Sequence, residues 1–522
     1  MRPLTDVRLV PAALVCWAAC LVGVRLPPAV AGAVAAGALV ASGLVAGAVV
    51  AAGAAVARTS AAGASATGAS ATGAVRPARA HGEVVGHVVL LLVVCAAALG
   101  STASQRTVRD SGLFADLVAQ GAQVRVVGTV GSEPVPLRST TPWGDDGARL
   151  RVDLMVEHVS GDGRSGPAAA PVLLLAGPQW AAVGYGSRVS ALGTLEPTGP
   201  GDDAVALLVV RGPPTTSAPA GPVDLRVAAV RTALLRVSDG LPADQRGLVP
   251  GAAIGDTSRI PDDLDRAMRV AGLTHVTAVS GAHFAIVGAV VLAVTALAGL
   301  ARPARAGVVA AAMVGFVLLV HPQPSVLRAA VMGGVGVCAL VLGRPSRAVP
   351  GLATCVLVLL VVDPWLATSI GFTLSVVATA GIVLGSSPLT TAMAPPLPDR
   401  IARLVAVPLA AQWACGPVVV VLSDGLPTYA VLANIAAAPA LVPATVLGVL
   451  AAVVAPWWEA GGVACARGAG LAAWWVATVA RTAAGLPAAV LPWPAGPVGP
   501  LGLAGVTLLV TLALRHRSRR VG

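Results

Sequence analysis

The stretch GLTHVTAVSGAHFAIVGAVVLAVTALAGL, residues 272–300, contains no Asp, Glu, Lys or Arg. A helix crosses the hydrocarbon of a bilayer with about 20 consecutive apolar residues, so the segment reads as a membrane span. His275, Ser280 and His283 lead into it, and polar groups at membrane depth face protein or water rather than lipid. Ser280 and His283 are three apart and share a helical face, while Gly281, Ala285, Ala289 and Ala293 recur at every fourth residue. That repeat predicts a close-packing face. His275 and His283 are eight residues apart, about 12 Å along a helix, too far to share one metal ion. Ser280 and His283 are two members of a hydrolytic arrangement for which no orienting third group or oxyanion donor can be named. Interhelical hydrogen bonding and a pore lining are the other roles open to them.

The rest of the chain has the same character. Of 522 residues, 11% are charged and 56% hydrophobic, against roughly 25% charged in soluble domains, which excludes a soluble globule. There is no lysine, so all 35 basic residues are Arg, and neither a P-loop lysine nor a Schiff-base lysine exists. The seven cysteines sit in apolar runs without C-x-x-C spacing and read as small buried hydrophobes. The net charge of +11 suits nucleic acid or anionic lipid, and follows equally from Arg flanking membrane spans.

Charge-poor stretches near 9–24, 28–57, 84–100, 275–300, 306–320, 326–343, 348–362, 369–387, 404–422, 427–455, 463–485 and 497–514 predict about 10–13 spans. The first is expected to be retained, since no small-x-small cleavage site precedes Arg25. The organisation reads as N-terminal spans (1–57), a flexible Ala/Ser/Gly/Thr linker (58–83), a span (84–100), a β-rich domain (101–222), amphipathic interfacial helices (223–272), the main helical domain (273–514) and a basic tail (515–522). Within 101–222, QVRVVGTVG, ARLRVDLMVEHV, PVLLLAG, RVSALGTLEP and AVALLVVR alternate like five strands of a small barrel. In SRIPDDLDRAMRVAGL, Pro261, Asp262 and Asp263 open a helix and Arg269 and Gly272 end it. Its apolar side, Leu264, Met268 and Ala271, is expected on the membrane surface. Arg2 and Arg8, Arg58, Arg76 and Arg79, Arg302 and Arg305, Arg344 and Arg347, Arg400 and Arg403, and the tail fall on one side of twelve spans. The positive-inside rule makes that side cytoplasmic and puts the barrel, Asp363-Pro364, Asp424 and LPWPAGP opposite. The fold class is a polytopic α-helical membrane protein with an inserted extracytoplasmic OB-like β-barrel.

Five blocks in order resemble the ComEC family of competence proteins. They are Gly255-Asp256 before His275, Ser280, Gly281 and His283; Pro324, Ser325, Arg328 and Ala329; Asp363-Pro364; Gly371, Phe372, Ser375, Ala378 and Thr379; and Gln412, Pro417, Asn434, Pro439 and Pro443. The resemblance spans about 245–445, and 101–222 is similar to the family's OB-like domain in strand pattern. It implies a channel passing single-stranded DNA inward through the cytoplasmic membrane in natural transformation. An external DNA receptor, a cytoplasmic helicase-like ATPase, membrane lipid and a second copy of the chain are the implied partners. Many family members continue into a metallo-β-lactamase-like domain, whereas this chain stops eight residues after its last span and its seven histidines form no HxHxDH cluster. Strand degradation is therefore expected of a separate nuclease. No metal, cofactor or covalent chemistry is expected of this chain.

On that reading the DNA-path candidates are Asp256, His275, Ser280, Gly281, His283, Arg328, Ser375, Thr379, Gln412 and Asn434. Arg328 either touches phosphates or snorkels to the interface. The Gly371, Ser375 and Thr379 face either lines a pore or admits a neighbouring backbone. Gln412 and Asn434 carry amides that need partners within spans. In the barrel, Arg125, Arg149, Arg151, Trp180, Tyr185 and Arg188 are candidate DNA contacts, by analogy with strand-binding OB-folds, against a packing or assembly role for the domain. A small-molecule secondary transporter and an intramembrane serine hydrolase are the rival functions.

Overall fold

The computed structural model describes residues 7–63, 75–137, 149–277, 279–321, 324–341, 348–394, 397–422, 425–494, 496 and 498–521. Arg2, Arg344, Arg347 and Asp424, used in the sequence reading, lie outside them. Three helices open the chain: α1 (Val10–Gly23), α2 (Pro28–Gly63) and α3 (Val75–Arg109). α2 and α3 run into the expected linker from both sides, because alanine is the strongest helix former and extends helices already begun. The centre of that linker, 64–74, is outside the described residues.

A short helix, α4 (Gly112–Ala119), leads into β1 (Gln123–Val130), β2 (Val135–Leu137), β3 (Arg149–Gly161), β4 (Arg164–Ala176), β5 (Arg188–Pro197), β6 (Ala206–Val210) and β7 (Thr215–Ala218). All five expected strands are present, with β2 and β7 as short additions. β1 pairs with β3 and with β5, β3 with β4, β4 in parallel with β6, and β6 with β5, so five strands close on themselves. Along β1, Val124, Val126 and Val130 are buried while Gln123 and Arg125 are exposed, the period-2 pattern of a strand with one face on a core. The β1–β3 register shifts at Gly128, where an added Cβ would strike the Met155 carbonyl; the bulge needs glycine. Phe114 and Leu117 of α4 join the barrel core.

Beyond the barrel come α5 (Pro222–Ser238), α6 (Ala243–Ile254), α7 (Asp262–Val270), α8 (Gly281–Leu297), α9 (Arg302–Val320), α10 (Pro324–Val341), α11 (Ala348–Val362), α12 (Ile370–Met393) and α13 (Asp399–Leu422). They are followed by β8 (Gly425–Pro427), α14 (Ala430–Val454), α15 (Glu459–Gly485), β9 (Val490–Pro492) and α16 (Val498–Val521), with β8 and β9 paired antiparallel. Each apolar stretch read from the sequence contains a helix, although the one near 275–300 is α-helical only over Gly281–Leu297 and the one near 427–455 only from Ala430. Among the described residues seven helices are long and apolar enough to cross a membrane, and five apolar helices are shorter, a pattern consistent with a polytopic membrane protein. Of the seven cysteines read as buried, all free, Cys16, Cys20 and Cys355 are buried, Cys95, Cys415 and Cys465 are half-buried, and Cys338 is exposed within the chain.

Two local expectations are corrected. α7 does not lay its apolar side on a membrane: Leu264 and Met268 are fully buried in one core with Leu234, Leu248 and the alanine faces of α14 and α15. Arg481 of α15 fastens this arrangement through Asp244 of α6 and Asp263 of α7. Small side chains on α14 and α15 let a short helix approach closely, and protein covers its apolar stripe. In α8, Ala285, Ala289 and Ala293 are exposed, so the small-residue repeat is not the face that packs within the chain. α8 meets α9 instead through Phe284, edge-on to Phe316 with centroids 4.9 Å apart, and through Gly288, which admits the Met313 methyl. Aromatic and thioether contacts bury more area than alanine methyls.

Candidate functional site

α8 begins where the backbone of Ser280 is extended, at φ −124° and ψ 174°, and Ser280 and His283 form a capping box. The Ser280 N–H donates to His283 Nδ1 at 3.1 Å, and the Ser280 hydroxyl lies 3.1 Å from the same atom. Since an amide N–H only donates, Nδ1 is the acceptor and the ring proton resides on Nε2. His283 is fully buried and its Nε2 has no hydrogen-bond partner. The pair thus terminates a helix rather than projecting from mid-span.

Arg328, one turn into α10, is 4% exposed. Its Nη1 donates to Thr379 Oγ1 of α12 at 3.1 Å and lies 3.6 Å from Met332 Sδ, while its Nε is unpartnered. Thr379 passes its own proton to the Ser375 carbonyl at 2.8 Å, which leaves oxygen lone pairs for the guanidinium. Nη2 of Arg328 lies 3.4 Å from where a Cβ on Gly281 would stand. Ser280, Gly281, His283, Arg328 and Thr379, from three helices, therefore converge, and Ser375 contributes its carbonyl.

The other path candidates are elsewhere. His275 is exposed on the 3-10 turn Thr274–Val276. Gln412 is half-buried, with no hydrogen bond among the described residues. Asn434 donates to the Ala430 carbonyl at 2.8 Å and to the Gly272 carbonyl at 3.5 Å, tying α14 to the turn after α7. Asp256 accepts from the amide and hydroxyl of Ser258 at 3.0 and 2.6 Å and lies 4.0 Å from Arg231.

The barrel is seated on one end of the helices at two places. At the first, Arg231 of α5, 5% exposed, donates from Nε and Nη2 to Glu133 at 2.9 and 2.6 Å. Its Nη1 donates to the carbonyls of Ile254 and Leu319 at 3.1 and 2.8 Å. One guanidinium thus joins the barrel to the C-terminal ends of α6 and α9, where a cation is favoured. Beside it Tyr185 stacks on His321, and burial together with Arg231 pushes the His321 imidazole down to about 4. At the second, Arg109 at the end of α3 lies over the Trp365 ring, 3.4 Å from its centroid, and donates to the Asp203 carbonyl at 2.8 Å. There Thr368 also donates to the Gly201 carbonyl at 2.8 Å. Arg302 and Arg305 open α9, at the opposite end from His321. Glu133, Arg231 and His321 were not singled out from the sequence; the only signal was a histidine directly after an apolar helix.

Of the barrel candidates, Arg125, Arg149, Arg151 and Arg188 are exposed, with Arg151 paired to Asp153 at 3.4 Å and Arg188 to Glu157 at 2.8 Å. Arg125 lines an open groove of about 500 Å³ with Arg164, Ser160 and Ser165. Trp180 is corrected: it is fully buried and donates to the Gly212 carbonyl at 3.1 Å, so its ring cannot stack on a base. Tyr185 is likewise engaged, with His321.

The sequence model described as Competence protein matches residues 253–518. ComE operon protein 3 of Bacillus subtilis (strain 168) is 29% identical over 147 residues, which is 28% of this chain and 19% of that protein. The match thus takes in about a fifth of that relative's length. No solved structure matches. The family match covers just over half of the chain and contains α8 to α15, including every side chain that converges around Arg328; the chain belongs to the Competence protein family.

Proposed function

We propose that this chain is a channel through which single-stranded DNA passes inward across the cytoplasmic membrane during natural transformation, with an OB-like barrel outside the cell. The observation that carries the reading is the meeting of Ser280, His283, Arg328 and Thr379, polar groups from three apolar helices, at the end of the helical array that bears the barrel. Buried polar and cationic side chains within apolar helices mark transport paths. Five strands closed into a small barrel fit an OB-like domain. Its seat at the end of α9 opposite Arg302 and Arg305 favours an extracytoplasmic position under the positive-inside rule.

No residue in this reading forms or breaks a covalent bond. A helicase-like ATPase pulls the strand from the cytoplasm, an external receptor delivers it, and a separate nuclease removes its complement. The test is internalisation of labelled DNA by a transformable host with and without the gene. Loss of nuclease-protected DNA inside cells, with surface-bound DNA unchanged, is the expected result. Equal internalisation in both strains removes the proposal.

A further inference from the structure

Where α8 meets α10, a buried guanidinium that pairs with no carboxylate among the described residues lies against the N-terminus of α8, whose third N–H is taken by the Ser280 cap. Gly281 is the first residue of α8, a helix of 17 residues, and Nη2 and Nη1 of Arg328 lie 3.4 and 3.9 Å from where its Cβ would stand. Arg328 is 4% exposed, its Nε has no partner, and its described partners are a hydroxyl and a thioether, neither of them charged. The first N–H groups of a helix lack intrahelical acceptors and carry roughly half a positive charge. A buried guanidinium held against that end sets like charges together in a medium of low dielectric, which is unfavourable unless an anion lies between them. A phosphate-type oxyanion satisfies both: its oxygens accept from the guanidinium fork and from the helix amides. Thr379 holds the fork without neutralising it, and Gly281 leaves the approach free of a side chain.

We propose that the N-terminus of α8 and Arg328 together bind one phosphate-type oxyanion and, resting on the channel reading above, that its source is the phosphodiester backbone of the passing strand. Full chain purified in a phosphate-free detergent would be melted in sodium phosphate and in sodium chloride at matched ionic strength. The expected result is a midpoint that rises with phosphate beyond the chloride control. Arg328→Gln should abolish the rise. Gly281→Ala, which keeps the guanidinium but sets a methyl against it, should weaken phosphate binding by about tenfold. A parent that responds equally to both salts overturns the site, as does an undiminished response in Gly281→Ala should Arg328→Gln fail to fold.

Two further arms separate the sources. Protection by a short oligothymidylate that is lost in Gly281→Ala supports the strand. Protection by phosphatidylglycerol micelles alone leaves the oxyanion site standing as a headgroup site and overturns the strand assignment. In cells, Gly281→Ala with lost phosphate binding but unchanged DNA internalisation likewise overturns that assignment. Internalisation that does not depend on the gene at all defeats the channel reading while the binding result stands.

Discussion

Tyr185 of the barrel and His321 at the C-terminal end of α9 lie ring on ring, 4.0 Å between centroids and 10° between planes. The imidazole also faces Arg231, and burial with that cation holds its folded-state value near 4, below the ordinary value of about 6.5. A depressed histidine stabilises the folded state fully above about pH 6.5, and that contribution fades as pH falls toward 4. The barrel should therefore loosen from the helices across this window. Protease release of the barrel, followed against pH, measures it. In His321→Gln, which cannot gain a proton, the slope between pH 6.5 and 4 should flatten; an unchanged slope assigns the effect to other groups.

Arg231 serves two helix ends and Glu133 at once, so its removal should be among the most disruptive substitutions at this junction. Arg231→Met strands the Ile254 and Leu319 carbonyls, each buried acceptor worth about 1–3 kcal/mol. Glu133→Gln keeps a hydrogen-bonding partner whose side chain is 41% exposed and should cost about 1 kcal/mol or less. Denaturant melts of both variants check the order, and equal losses would contradict the account.

Ser280 and His283 differ in what they hold. Ser280→Ala removes a capping hydroxyl, a loss of about 1 kcal/mol. His283→Ala removes the acceptor of the Ser280 N–H and opens a cavity at a fully buried position, a loss of about 2–4 kcal/mol. Thermal midpoints of the two proteins test this. A covalent serine probe should leave Ser280 unlabelled: its hydroxyl lies 3.1 Å from His283 Nδ1, but that nitrogen already accepts the Ser280 N–H, and among the described residues no group on Nε2 orients the ring as a base.

Topology can be checked directly. A cysteine at Met155, 49% exposed on the barrel, should react with a membrane-impermeant thiol reagent in intact cells. One at Arg302 should react only after lysis. The reverse pattern inverts the orientation drawn from the arginines.

The Arg328–Thr379 hydrogen bond joins residues 51 apart in the chain, and the Arg231–Glu133 pair joins residues 98 apart. Neither leaves a local trace, because an arginine near an apolar run looks the same whether it snorkels, pairs or waits for an anion. What the sequence by itself determined was local: runs too long and apolar for anything but helices, strands with alternating burial, and a Ser280 three residues before His283 where a helix starts. Period and capping depend on neighbours within one or two turns, so they survive without knowledge of the fold. Only the tertiary structure decided which faces meet. It turned Trp180 inward, exposed the alanine repeat of α8, covered the apolar side of α7 with α14 and α15, and stacked Tyr185 on His321. Those outcomes depend on the area and shape each distant partner offers, which no window of sequence contains.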